Sequence, residues 1–162
     1  MAEKELEIAP VQNRIGQGRA SYIPAVKPAI EKPPAVSMTS QYWKLPLNWE
    51  ELIEQVRWAR GGRFSLEVEA PETLAVVAEQ QEQVGRDRRL VHLLNYAATQ
   101  AARVSNVKVE VELPRGKQVR EVRLLTPDGK ESTTVASQVA DGRAHFTIPQ
   151  LETYSLAVLE LE

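Results

Sequence analysis

The sequence predicts a mainly β protein: an antiparallel β-sandwich of seven to eight strands, one N-terminal helix and an extended proline-rich arm. Three observations carry that expectation. Beyond Gly62, apolar residues recur at every second position in short runs. Turn signals such as Pro127-Asp128-Gly129 and Asp141-Gly142 separate the runs. Six of the ten prolines fall within residues 10–46, so that stretch can hardly be helical, because proline lacks the amide hydrogen and clashes with the preceding turn.

Residues 1–47 read as an arm or linker. Proline also restricts the residue before it to extended geometry, so residues 24–41 read as an extended arm. Two readings are open: a disordered linker, or an arm lying along its own domain or a partner. Within this region "GQGR" at 16–19 resembles a phosphate loop at first sight. It lacks the third glycine and the lysine of nucleotide motifs, and no helix pattern follows. A turn feeding a short strand near 18–24 is the simpler reading.

Residues 48–162 read as a helix plus sandwich domain. "NWEELIEQVRWARGG" predicts a helix over 49–60, with Asn48 as N-cap and Glu51 completing a capping box. Glu50 and Glu51 suit the positive end of the helix dipole, and Arg57 and Arg60 the negative end. Trp49, Leu52, Ile53 and Val56 form one apolar stripe, and Gly61 or Gly62 supplies the left-handed terminus. Strands follow. In "RFSLEVEAP", Phe64, Leu66 and Val68 alternate with Ser65, Glu67 and Glu69. "TLAVVAEQQEQ" alternates less cleanly, and "RLVHLLNYA" is apolar enough to be covered on both faces. "NVKVEVELP" turns Val107, Val109, Val111 and Leu113 inward. "VREVRLLTPDG" and "STTVASQV" lead to the Asp141-Gly142 turn. "AHFTIP" puts Ala144, Phe146 and Ile148 on one face, and "TYSLAVLELE" closes the chain.

Bulk properties exclude several function classes. The net charge of −2 leaves no basic footprint for nucleic acid. The absence of cysteine excludes disulfides, thiolate metal sites and a cysteine nucleophile. The start, "MAEKELEIAP", has no apolar signal region, and no run approaches the roughly 18 apolar residues that span a bilayer. The expectation is a soluble cytoplasmic protein without membrane contact.

Candidate chemistry is sparse. His92 and His145 are the only histidines. On a period-2 strand His92 shares a face with Leu90, Leu94 and Tyr96, so a hydrogen-bonded structural role for His92 and Tyr96 outweighs a small hydrolase built on His92. His145 falls opposite the apolar face of its strand. Two isolated histidines give no metal-ligand spacing, and no cofactor is implied. The pairs Glu67/Glu69 and Glu110/Glu112 alternate with apolar residues, as on a solvated face, whereas acid–base work needs one carboxyl in an apolar pocket. Tyr42, Trp43, Trp49 and Trp58 cluster within 17 residues. Trp49 lies on the helix stripe and reads as a core plug between helix and sandwich. Tyr42, Trp43 and Trp58 are candidates for contact with a sugar or a partner.

The ordered series "GQGRASYIPA", "YWKLPLNWEELIEQVRWARGG", "LEVEAP", "RLVHLLNYA", "NVKVEVELPRGKQVREVRLLTPDG" and "FTIPQLETYSLAVLE" resembles the C-terminal portion of bacterial glycoside hydrolases similar to family 42 β-galactosidases. In that family a catalytic barrel precedes a glutamine-amidotransferase-like trimerisation domain and a small all-β domain. "GQGRASYIPA" is similar to the last strand of the amidotransferase-like domain, and the remainder to the terminal β domain. The likeness covers roughly residues 13–161 and reaches none of the barrel's catalytic carboxylates. It implies a non-catalytic accessory module in carbohydrate metabolism, docking on a glycoside hydrolase catalytic domain or forming a homo-oligomer through the N-terminal arm. The alternative is a carbohydrate-binding module using Tyr42, Trp43 and Trp58.

Overall fold

The computed structural model describes residues 9–30, 44–71, 74–83, 86–96, 103–127 and 132–162. The chain divides into two units, Met1–Phe64 and Ser65–Glu162.

In the first unit, β1 (Val11–Ile15) and β2 (Gly18–Tyr22) form an antiparallel hairpin with Ile15 opposite Gly18. Gly16 opens the two-residue turn at φ 59, a conformation that glycine adopts without a Cβ clash and that matches the twist of paired strands. The turn and second strand follow the sequence expectation. β1 is an addition, because VQNRI has no period-2 pattern to announce it.

Helix α1 spans Trp49–Arg60, as the sequence predicts. Gly61 ends it at φ 99, its amide donating to Trp58 O at 3.1 Å while Gly62 N donates to Arg57 O at 2.9 Å. The start differs from the expected capping box. Asn48 makes no side-chain cap bond to the helix backbone. Its Oδ1 instead accepts from Lys27 N at 2.9 Å, and its Nδ2 donates to Ala25 O at 3.0 Å and to Glu51 Oε2 at 3.1 Å. The asparagine ties the preceding chain to the helix rather than closing the helix upon itself.

The expected boundary at 47/48 also differs from the observed division. The helix groups with the hairpin through polar bonds. Gln55 Oε1 accepts from Gln12 Nε2 at 2.9 Å and from Ser21 Oγ at 2.7 Å, and Arg19 Nη1 donates to Trp58 O at 3.0 Å. No described residue of this unit is buried. Trp49, on the apolar stripe, is 38% exposed. A stripe shows which residues a helix turns to one side, and the pattern is silent on what lies there.

Among the described residues, the second unit is an antiparallel sandwich of nine strands. One sheet has the order β3 (Leu66–Glu69), β6 (Val104–Glu112), β10 (Arg143–Leu151), β9 (Ser137–Ala140). The other has the order β4 (Leu74–Gln83), β5 (Arg86–Asn95), β11 (Tyr154–Leu161), β7 (Val119–Leu125), β8 (Thr133–Val135). Nine strands replace the seven or eight expected because "STTVASQV" splits. Its first half joins one sheet as β8, and after Ala136 its second half joins the other as β9. Such a strand, changing sheets at a bend, makes a corner of the sandwich.

The core follows the alternation in the sequence. Val107, Val109, Val111 and Leu113 meet Ala144, Phe146 and Ile148 from one sheet, and Val91, Leu93, Val122, Leu124, Ala157 and Leu159 from the other. One irregularity recurs on both partners. Asn106 has φ 55, and exposed Ser105 and Asn106 separate buried Val104 from Val107. On β10, exposed Pro149 and Gln150 separate Ile148 from Leu151, in matching register. Both strands therefore return together to the core face. Pro149 stands where its missing amide hydrogen is tolerated at an irregular point of the ladder. Among the described residues, no helix is long and apolar enough to cross a membrane.

Candidate functional site

On the four-stranded sheet, alternation that turns valines inward turns charges outward and gives a polar outer face, whereas the outward positions of β5 and β11 in the other sheet are largely apolar, with Leu90, Leu94, Leu156 and Val158 beside His92 and Glu160. The outer face of the four-stranded sheet is concave. A groove of about 890 Å³ is lined by residues of β3, β6, β10 and β9 and by the Val135–Ser137 corner.

Register sets the groove's chemistry. Glu67 lies opposite Glu110, Glu110 opposite His145, and His145 opposite Gln138. Four polar side chains thus form one row across four strands. A second row places Glu69 beside Lys108 and Lys108 beside Thr147. Like charges placed directly opposite destabilise a pair of strands, and here cations offset them. Buried Arg143 brings Nε within 2.5 Å of Glu110 Oε1, and Lys108 Nζ lies 2.9 Å from Glu69 Oε2. His145 Nδ1 is 3.8 Å from Glu110 Oε2.

The sequence puts Glu67, Glu110 and His145 on outward faces, and the structure keeps them there. Their assembly into one row is not visible in the sequence, because it depends on the pairing of strands some 40 residues apart. Alternation fixes a residue's face but not its neighbour.

The outer face of the five-stranded sheet carries a different arrangement. Glu160 is only 5% exposed. Its Oε1 lies 3.0 Å from Arg88 Nε and 3.0 Å from Arg123 Nη2. Burial alone would raise its carboxyl pKa, but hydrogen bonds and charge from Arg88 and then Arg123 outweigh this and hold it below the ordinary value.

The singled-out residues scatter. His92 stands on this second outer face with Nδ1 2.7 Å from Tyr154 Oη, linking adjacent strands β5 and β11. Tyr96 does not anchor the strand as expected. It lies just beyond the end of β5 and is 67% exposed. Asn95 takes the tying role instead, donating through Nδ2 to Glu152 O at 2.9 Å and through its backbone N to Thr153 O at 2.8 Å. Trp58, in the first unit, is half-buried under the Arg19 guanidinium, 5.6 Å from the ring centroid. Tyr42 and Trp43 lie outside the described residues. Among the described residues, no group of three or more His, Asp or Glu side chains could hold a metal ion.

No family model matches the chain, and no curated protein matches it. Solved structures do. The chain is similar to alpha-L-fucosidase isoenzyme 2 from Paenibacillus thiaminolyticus, with 24% identity and a TM-score of 0.55, over 70% of this chain and 18% of that one. A fainter likeness, with 18% identity and a TM-score of 0.44, is to a cycloisomaltooligosaccharide glucanotransferase from a Paenibacillus species in complex with cycloisomaltoheptaose. It covers 56% of this chain and 16% of that one. The first likeness is one of fold, and the chain spans less than a fifth of either protein's length.

Proposed function

We propose that this chain is a non-catalytic accessory module of glycoside-hydrolase type, which attaches through its first unit to the catalytic domain of such an enzyme. The observation that carries this reading is the state of that unit. None of its described residues is buried. Nine of the eleven large hydrophobic side chains exposed among the described residues belong to it, including Val11, Ile15, Trp49, Ile53 and Val56. A hairpin and a 12-residue helix with no fully buried described residue are marginal alone, and a partner surface would supply the missing burial. The fucosidase likeness supports the enzyme context, because the matching part is a small fraction of a much longer glycosidase chain. The family 42 affinity suggested by the ordered sequence motifs belongs to the same proposal.

Light scattering with hydrogen exchange tests it. Attachment to another protein predicts a monomer whose amides at 11–22 and 49–60 exchange fast. Self-association through the same surface predicts a dimer that Ile53→Lys dissociates, which would replace the catalytic domain with a second copy as the partner. A monomer with those amides strongly protected overturns the attachment role. Measurable hydrolysis of nitrophenyl glycosides by the purified chain overturns the non-catalytic one.

A further inference from the structure

We propose that the concave outer face of the four-stranded sheet binds a neutral, hydroxyl-rich ligand of the short-oligosaccharide class. The ligand class rests on the glycoside-hydrolase reading, and the site rests on geometry of its own. The groove of about 890 Å³ falls in the size range of small-molecule sites. Its central row, Glu67, Glu110, His145 and Gln138, crosses three strand spacings, or about 14 Å. That is a track for an extended chain rather than a pocket for one compact group.

The lining selects among ligands. Carboxylates accept hydrogen bonds from adjacent hydroxyls, Gln138 both donates and accepts, and Lys108 and Thr147 donate from the neighbouring row. Among the described residues, no aromatic ring other than the core-facing Phe146 and the imidazole of His145 lines the groove, so it offers little stacking to a flat base or a sugar ring, and recognition here rests on hydrogen bonds. Phosphorylated ligands face the carboxylates of Glu67, Glu69 and Glu110 and are disfavoured. A polycation has less to gain than the acid count suggests, because Arg143 and Lys108 already pair with Glu110 and Glu69. What remains on offer is hydrogen bonding. Gln138 and Thr147 have no side-chain hydrogen bond among the described residues, so ligand hydroxyls need not displace an existing protein bond there.

The test is an amide NMR titration of the full chain with four probes: galactan-derived oligosaccharides, isomaltooligosaccharides, a fucosylated oligosaccharide and spermine. At millimolar concentration, at least one of the three sugars is expected to shift the amides of Glu67, Glu110, Gln138 and His145 together. Gln138→Ala and His145→Ala, both outward-facing changes, are each expected to weaken that binding severalfold while leaving the melting temperature unchanged. No response to any sugar overturns the proposal, as does a response to spermine alone or shifts centred elsewhere. Neither variant touches the first unit, so light scattering on the same samples reports the attachment role separately. Either reading can fail without the other.

Discussion

At the residue scale, Glu160 shows how a buried charge is made tolerable. It lies between Arg88 and Arg123, each guanidinium 3.0 Å from the same oxygen. Glu160→Gln leaves two cations without their counter-ion and is expected to cost about 3 kcal/mol. That is the low end for breaking a buried pair, because Arg123 keeps contact with water. Chemical denaturation at neutral pH checks it. The pH dependence has a definite sign. The folded carboxyl titrates below its ordinary value of 4.5, so its contribution is fully present above that pH. It is lost as the pH falls through the depressed folded value. The Glu160→Gln variant should therefore lose its deficit relative to the native chain in acid, and an unchanged deficit down to the acid transition would refute this account. The sequence held no sign of the triad. Arg88, Arg123 and Glu160 sit on three separate strands, and "VLELE" reads as a plain alternating end. Asn48 is the converse case. Its N-cap chemistry was legible, but the bonds it makes depend on where residues 25–27 run, which no local rule specifies.

At the element scale, period 2 was the reliable signal. It gave β6 and β10 their inward residues correctly, because a sheet buried on one face leaves no other register that hides the valines. The two faces of β10 should respond differently to truncation. Ile148→Ala, at a fully buried site, is expected to destabilise by about 2–5 kcal/mol. Thr147→Ala, one residue away and exposed, should stay within about 0.5 kcal/mol. Comparable losses at both sites in urea titrations would mean that β10 is buried on both faces. The pattern was least informative where an element ends or changes allegiance. "STTVASQV" reads as one run because alternation continues through Ala136, although the chain passes there from one sheet to the other.

At the whole-molecule scale, the buried residues belong entirely to Ser65–Glu162 among the described residues. A fragment of residues 65–162 should accordingly unfold cooperatively with nearly the native denaturant midpoint and slope. A fragment that fails to fold would show that the first unit contributes to the core. The sequence suggested a division of roughly this kind through its proline distribution. It set the boundary before the helix, whereas the helix groups with the hairpin in Met1–Phe64, because amphipathic periodicity records that a face is apolar and not what lies against it. The groove was invisible at this scale for a related reason: concavity is a property of four strands jointly, and each strand alone reads as an ordinary solvated edge of alternation.

The corner at Ala136 constrains that groove further. Val135, Ala136 and Ser137 form part of its wall, yet the same short stretch supplies hydrogen-bonded strands to both sheets. The wall is thus also the seam of the sandwich. Val135 packs against the core cluster, so an outward swing would also break the pairing of β8 with β7 and of β9 with β10. A molecule entering here meets a mould rather than a jaw: selectivity would come from shape already set, with little ordering of the protein on arrival.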